Sequence, residues 1–337
     1  MSDRKKDHID LAFRSKTGME SIDHRFNYEP LISAHPDFTS EPFDFLGKRM
    51  EVPLWISSMT GGTDAARHIN RNLARACHEF GMGMGLGSCR PLLESDRFFD
   101  DFDLRELIGE EAPFFANLGV AQIEKSIKNG SIGRILEMVG RLRADGLIIH
   151  VNPLQEWLQP EGDRFSRPPI DTIRVFLSQV DIPVIVKEVG QGMGPESLKL
   201  LLELPLAAID FGAFGGTNFA QLELLRSPET KKGFYGPVAR LGHDAEEMIH
   251  LVNGWVESGI HCRCGHIIVS GGIKDFLDGY YLISQSKLPA IYGQASTFLK
   301  YAQGPYEQLG EFVTSQIMGL KLAKAYLKLK QPSRNEK

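Results

Sequence analysis

The chain has 337 residues, with 38 Lys and Arg against 43 Asp and Glu, a formal charge of −5, 42 % hydrophobic and 24 % charged residues. These proportions are those of a globular protein and exclude a disordered chain, a collagen-like fibre and a general nucleic-acid binder. The first residues, Met1-Ser2-Asp3-Arg4-Lys5-Lys6-Asp7, have no apolar region behind their charges. No apolar run approaches the roughly 18 to 20 residues of a membrane helix, so the chain reads as soluble and cytoplasmic.

Taken in chain order, residues 1–50 read as an extended arm ending in a short hairpin around Leu46-Gly47-Lys48. Short, nearly continuous apolar runs then follow at 53–57, 81–85, 114–117, 146–152, 183–187, 208–212, 267–270 and 289–293. That pattern marks parallel strands buried on both faces. Helical spacing of apolar residues lies between them, at 65–80 (Ile69, Leu73, Ala76, Cys77, Phe80), at 131–142 (Ile132, Ile135, Leu136, Val139) and at 195–204, which opens on Pro195. Eight strands alternating with helices predict a single (β/α)8 TIM barrel over 51–305, inside one domain spanning 1–337. From Glu307 the chain reads as a final long helix with a polar tail over 306–337, whose Lys321, Lys324, Lys328 and Lys330 form a solvated face.

Glycine clusters stand where the strands end: Met59-Thr60-Gly61-Gly62, Gly85-Leu86-Gly87-Ser88, Gly190-Gln191-Gly192, Gly215-Gly216-Thr217 and Ser270-Gly271-Gly272. In such a barrel the strand ends and the loops after them form the active face, and small residues there let backbone amides approach a phosphate. Lys187 ends an apolar strand, and a buried lysine needs an anion. Two partners suit it: the electron-rich edge of a flavin, or a barrel carboxylate such as Asp210. The segment His150-Val151-Asn152-Pro153-Leu154-Gln155-Glu156 is the most informative. His150 and Asn152 share one face of a strand, and Gln155 and Glu156 fall just beyond it. With Asn117 and Arg90 nearby, this set suits an anionic substrate and one hard cation, since Mg²⁺ manages with one carboxylate plus water and phosphate oxygens. Alone, Arg4-Lys5-Lys6-Asp7-His8 reads as a solvated tail. His261-Cys262-Arg263-Cys264-Gly265-His266 has the wrong spacing for zinc, and Cys89 reads as a buried thiol.

Together these segments resemble the type 2 isopentenyl-diphosphate Δ-isomerases, FMN-dependent (β/α)8 barrels. The match runs in order from residue 4 to about residue 300 and includes Arg4-Lys5, Asp7-His8, Gly87-Ser88, Arg90, His150 to Asp163, Val186-Lys187-Glu188-Val189-Gly190 and Ala295-Ser296. The resemblance implies FMN on Ser58, Met59, Thr60, Ser88, Asn117, Lys187 and Thr217, with its phosphate at Gly271, Gly272, Lys274, Ala295 and Ser296. It implies a substrate diphosphate on Arg4, Lys5, His8, Arg90, His150 and Asn152, Mg²⁺ on Glu156, and Gln155 beside the reacting alkene. NADPH then serves only to reduce the flavin, and the chain forms a tetramer or octamer. The sequence departs from the family pattern at Gly212-Ala213-Phe214, where a Ser is usual, at Leu241-Gly242-His243-Asp244, at Ser286-Lys287-Leu288-Pro289, and at Lys274, where Arg is common. Two other readings fit parts of the pattern: an FMN oxidoreductase of the α-hydroxy-acid oxidase type, and a non-catalytic flavin-binding scaffold.

Overall fold

The computed structural model describes residues 2–330 apart from Phe38, Ser40, Met59, Gly62 and Thr63. Three short strands come first: β1 (Phe26–Tyr28), β2 (Phe43–Phe45) and β3 (Lys48–Met50). Eight parallel strands then close into a barrel, each paired with the next in the chain: β4 (Leu54–Ile56), β5 (Gly83–Gly85), β6 (Phe114–Gly119), β7 (Gly146–Val151), β8 (Val184–Glu188), β9 (Ala208–Asp210), β10 (His266–Ser270) and β11 (Ala290–Gln294). β11 pairs back onto β4 through Tyr292↔Leu54 and Gly293↔Trp55. Helices such as Asp64–Phe80, Ile132–Arg141, Pro195–Leu202 and Phe276–Gln285 cover the outside. The TIM barrel expected from the apolar runs is the fold observed.

Side-chain alternation along the strands separates two cores. Leu147 and Ile149 on β7, Val184 and Val186 on β8, and Ile267 and Val269 on β10 face the helices. Ile148, Ile185 and Ile268 face inward and pack with Trp55, Phe115, Ala208 and Ile291 in the lower barrel. Phe45 and Met50 plug this core from below. They belong to the expected hairpin, β2 and β3, whose turn residues Leu46 and Gly47 both have left-handed φ, 55° and 74°. Such a turn matches the twist of the strands it joins.

Three expectations need correction. The beginning of the chain is not extended: Ser2–Leu11 is an α-helix. Neither Gly nor Pro occurs before Gly18, and Arg4, Lys5, Lys6 and Leu11 are good helix formers. The end is not only helix and tail, because Tyr306–Tyr326 is followed by β12 (Leu327–Leu329), which pairs antiparallel with β1. The last part of the expected polar tail, 331–337, lies outside the described residues. Nor are Lys321 and Lys324 simply solvated. Lys321 Nζ donates to the carbonyls of Asp37 and Thr39 at 3.1 and 2.7 Å, and Lys324 Nζ lies 3.6 Å from Glu41 Oε2. They tie the segment before β2 to the last helix. Among the described residues no helix is long and apolar enough to cross a membrane.

Candidate active site

Two residues further along each inward-facing position, the barrel changes character. Above Trp55, Phe115, Ile148, Ile185, Ala208 and Ile268 stand Ser57, Asn117, His150, Lys187, Asp210 and Ser270. A period of two keeps all of them inside the barrel, one layer nearer the C-terminal ends of the strands. His150, Lys187 and Asp210 are direct neighbours across β7, β8 and β9. Lys187 Nζ lies 3.1 Å from Asp210 Oδ2, and the Ser270 hydroxyl donates to the other carboxylate oxygen. The Gly212 amide in turn donates to Ser270 Oγ at 2.9 Å.

A cleft opens from this ring toward the loops after β9, β10 and β11. Its lining includes Ser57, Ser58, Lys187, Thr217, Gln294 and Ser296. Gly271, Gly272, Lys274 and Ala295 complete the expected phosphate end. Gly271 and Gly272 have φ of 90° and 74°, and a carbon added to Gly271 would lie 2.1 Å from the Ala213 carbonyl oxygen. The loops after β9 and β10 therefore meet backbone to backbone, with room for nothing larger than glycine. The amides of Gly271 and Gly272 donate to no acceptor among the described residues. Ser57 Oγ, Ser58 Oγ and Gln294 Oε1 are buried there without a hydrogen-bond partner among the described residues.

Beside the cleft, β7 delivers the second half of the site. Asn152 precedes the short helix Pro153–Leu158, whose first position is proline, where a missing amide hydrogen costs nothing. Asn152 Nδ2 donates to Gln155 Oε1 at 2.9 Å and to Glu156 Oε1 at 3.1 Å, while its own Oδ1 is buried without a partner among the described residues. Glu156 Oε2 accepts the Asp163 amide at 2.6 Å. Gln155 Nε2 lies 3.4 Å from Glu223 Oε1, and Glu223 is held from its other side by Arg226 at 2.8 Å. Arg90 Nη1 stands 3.4 Å from Asp163 Oδ2, which also accepts Gln122 Nε2 at 2.9 Å. Burial and the nearby Lys187 charge push His150 down to about 4. Glu188, next to Lys187, turns away and accepts the amides of Gly190, Gln191 and Gly192. Burial raises its carboxyl to about 7 against the pull of those three donors.

Several expected residues are not gathered here. Arg4, Lys5 and His8 are exposed on the first helix, and their side chains bond to nothing among the described residues. Thr60 spends its hydroxyl on Asn70 Oδ1 at 2.8 Å, and Ser88 is exposed. Asn117, by contrast, does stand in the polar ring, where it faces His150 and donates Nδ2 to the Leu86 carbonyl at 3.0 Å. Met59 lies outside the described residues. Cys89 is buried, which pushes its thiol up to about 12. The thiols of Cys262 and Cys264 donate to the carbonyls of Cys264 and His266 at 3.6 and 3.4 Å. Ser57, Gln122 and Glu223 are not among the expected residues, and Ser270 and Gln294 were expected only as neighbours of the glycine and Ala295-Ser296 turns. Strand parity signals Ser57 and Ser270, each two residues beyond an inward apolar residue. Nothing in the local pattern distinguishes Gln122 or Glu223 from ordinary helix-surface residues.

The closed parallel barrel is a TIM barrel with its site at the C-terminal ends of the strands, a fold that solved FMN-containing enzymes share. A mandelate oxidase mutant with a monooxide FMN adduct is similar at TM-score 0.55 and 14 % identity, covering 97 % of this chain and 99 % of that one. The flavin-binding domain of baker's yeast flavocytochrome b2 is similar at TM-score 0.61 and 11 % identity, covering 90 % and 72 %. At these identities the likeness is one of fold. No protein-family model matches the chain. Sequence similarity is more specific. The isopentenyl-diphosphate delta-isomerase of Rickettsia africae (strain ESF-5) is 34 % identical over 328 residues, 95 % of this chain and 92 % of that protein. The enzyme of the same name from Pseudescherichia vulneris is 34 % identical over 283 residues, 82 % and 78 % of the two. The chain belongs to the isopentenyl-diphosphate delta-isomerase family, in its barrel-fold type 2 form.

Proposed function

We propose that the chain interconverts isopentenyl and dimethylallyl diphosphate, using FMN in the cleft above the polar ring and one Mg²⁺ beside it. The observation that carries this reading is the juxtaposition of two half-sites on one barrel face: a glycine cradle with unclaimed amides at the end of β10 and the Asn152–Gln155–Glu156 cluster at the end of β7. The cleft suits FMN because it offers partnerless buried hydroxyls at Ser57 and Ser58 and an anion-binding backbone at Gly271 and Gly272. Ser58, Thr217 and Lys187 would hold the ring and its side chain. Lys274, Ala295 and Ser296 would meet the phosphate, with Met59, Thr60, Ser88 and Asn117 as further contacts implied by the family resemblance.

Moving a double bond in an unactivated alkene requires protonation to a tertiary carbocation and loss of a different proton. FMN, reduced by NADPH, supplies the strong acid–base group for that chemistry when bound. The chain's own groups orient the substrate and keep water out. Gln155, its amide held between Asn152 and Glu223, stands beside the alkene. Glu156 offers a carboxylate whose two oxygens each carry one hydrogen bond among the described residues, leaving lone pairs for Mg²⁺. Arg90, His150 and Asn152 receive the diphosphate, and the helix carrying Arg4, Lys5 and His8 folds over it. The protein acts as a cytoplasmic homo-oligomer, a tetramer or octamer. The test is turnover in D₂O with FMN, Mg²⁺ and NADPH: dimethylallyl diphosphate carrying solvent deuterium supports the reading. Oxidised product formed with stoichiometric loss of an oxidant would assign the site to an oxidoreductase instead.

A further inference from the structure

His150 sits between Asn117 and Lys187 in the polar ring, and its surroundings decide which nitrogen carries a proton. The Leu86 carbonyl can only accept, so the Asn117 amide turns its nitrogen there, at 3.0 Å, and its oxygen to His150 Nδ1, at 2.9 Å. Nδ1 is therefore the donor. Burial and Lys187 hold the free imidazole at about 4, so near neutral pH it is uncharged and Nε2 bears a lone pair. Gln122 donates its amide nitrogen to Asp163 Oδ2 at 2.9 Å, which turns Oε1 the other way. Nε2 and this oxygen both pack against the bare Cα of Gly119, where an added carbon would lie 2.8 Å from one and 2.4 Å from the other, so only glycine lets them approach side by side. Neither atom has a donor among the described residues. Two acceptors thus stand side by side, and a fully ionised diphosphate oxygen would be a third.

We propose that the diphosphate of the substrate is bound together with one additional proton, carried at His150 Nε2, and that Asn117 and Gln122 are the positioning residues that reserve that nitrogen for it. The inference rests on the reading of this site as a diphosphate site. The proton comes from solvent and no substrate bond changes. The charges around the imidazole explain the coupling. Lys187 on β8, with Asp210 behind it on β9, opposes protonation in the free protein. Arg90 and Asp163 flank Gln122, and Glu188 is turned to its own loop amides. An incoming polyanion reverses the local field and favours the imidazolium.

The test is calorimetry of isopentenyl diphosphate binding to the Mg²⁺- and FMN-loaded protein, cofactor oxidised, at pH 8 in buffers of different ionisation enthalpy. Wild type takes up close to one proton per substrate bound. His150→Gln, whose amide donates without protonation, takes up close to none. Equal uptake by the two proteins overturns the proposal. Histidine side-chain ¹⁵N resonances of the wild type give a check that needs no variant. The free protein shows His150 protonated at Nδ1 alone and the complex shows both nitrogens protonated; an Nε2–H tautomer in the free protein, or a neutral ring in the complex, contradicts it. A protein that binds inorganic pyrophosphate but not isopentenyl diphosphate would refute the substrate reading, and the proton count with pyrophosphate would still decide this proposal. Binding of neither would overturn both.

Discussion

Lys187 Nζ lies 3.1 Å from Asp210 Oδ2, with the aspartate wholly buried, and Lys187 also lines the cleft. The two partners that suit a lysine at this strand end, a carboxylate and a cofactor edge, are therefore not alternatives. Asp210 supplies the counter-charge inside the barrel while the lysine still borders the cleft. Removing one member of a buried pair leaves the other uncompensated. Asp210→Ala is expected to lose about 3–5 kcal/mol of stability, and Asp210→Asn less, in urea unfolding of the cofactor-free protein. A loss under about 1 kcal/mol for the alanine variant would mean that water reaches the pair.

The glycine cradle makes a sharper prediction about the cofactor. A methyl on Gly271 meets the Ala213 carbonyl at 2.1 Å on a backbone with φ of 90°. Gly271→Ala must push apart the loops after β9 and β10, so FMN affinity should fall by about a hundredfold or more, some 3 kcal/mol. Fluorescence titration of FMN into the apo-protein measures it. Unchanged affinity would place the phosphate elsewhere.

Gln155 lies outside the cleft lining but is hydrogen-bonded to Asn152 and Glu223. Gln155→Ala should keep FMN affinity within about twofold and lower turnover by roughly 10² or more, the scale of a positioned proton-transfer group. Wild-type turnover in that variant would remove Gln155 from the catalytic machinery.

The contrast between what could and could not be read in advance has a physical basis. The barrel is legible because a strand buried on both faces must be an apolar run, and because loops that approach a phosphate must be glycine. Lys187 and the His150 to Glu156 segment stand out as polar residues placed where apolar ones are the rule. The first helix was hidden because a polar segment without a buried face carries no periodic apolar signal. β12 escaped notice because three residues, Leu327–Leu329, are too few to show a period and are stabilised by a partner some three hundred residues away. Gln122 and Glu223 look like solvent-facing helix residues until the fold brings Asp163 to the first and Gln155 to the second. Asn117 was expected at the flavin, yet its amide is committed to Leu86 and His150, a commitment visible only in three dimensions.

His150 also predicts a pH dependence. Its folded-state value, about 4, lies below the ordinary 6.5, so between those limits the unfolded chain binds more protons than the native one. Stability then rises with pH across that window, and it is lost as pH falls from 6.5 toward 4. The contribution is of the order of 2–3 kcal/mol. Glu188, raised from 4.5 to about 7, works with the opposite slope, so the difference between wild type and His150→Gln is the quantity to follow. That difference should shrink steadily as the pH is lowered from 6.5 to 4. A constant difference would mean that His150 stays hydrated.

The proposed isomerase site joins the polar ring, the glycine cradle and the Gln155–Glu156 cluster. Anaerobic proton NMR of isopentenyl diphosphate with the protein, FMN, Mg²⁺ and NADPH tests it most directly. Growth of dimethylallyl diphosphate to a plateau, with NADPH consumed only to the extent that it reduces bound FMN, is the predicted result. A protein that binds and reduces FMN normally but leaves the substrate unchanged, or that consumes NADPH in step with product, would contradict it.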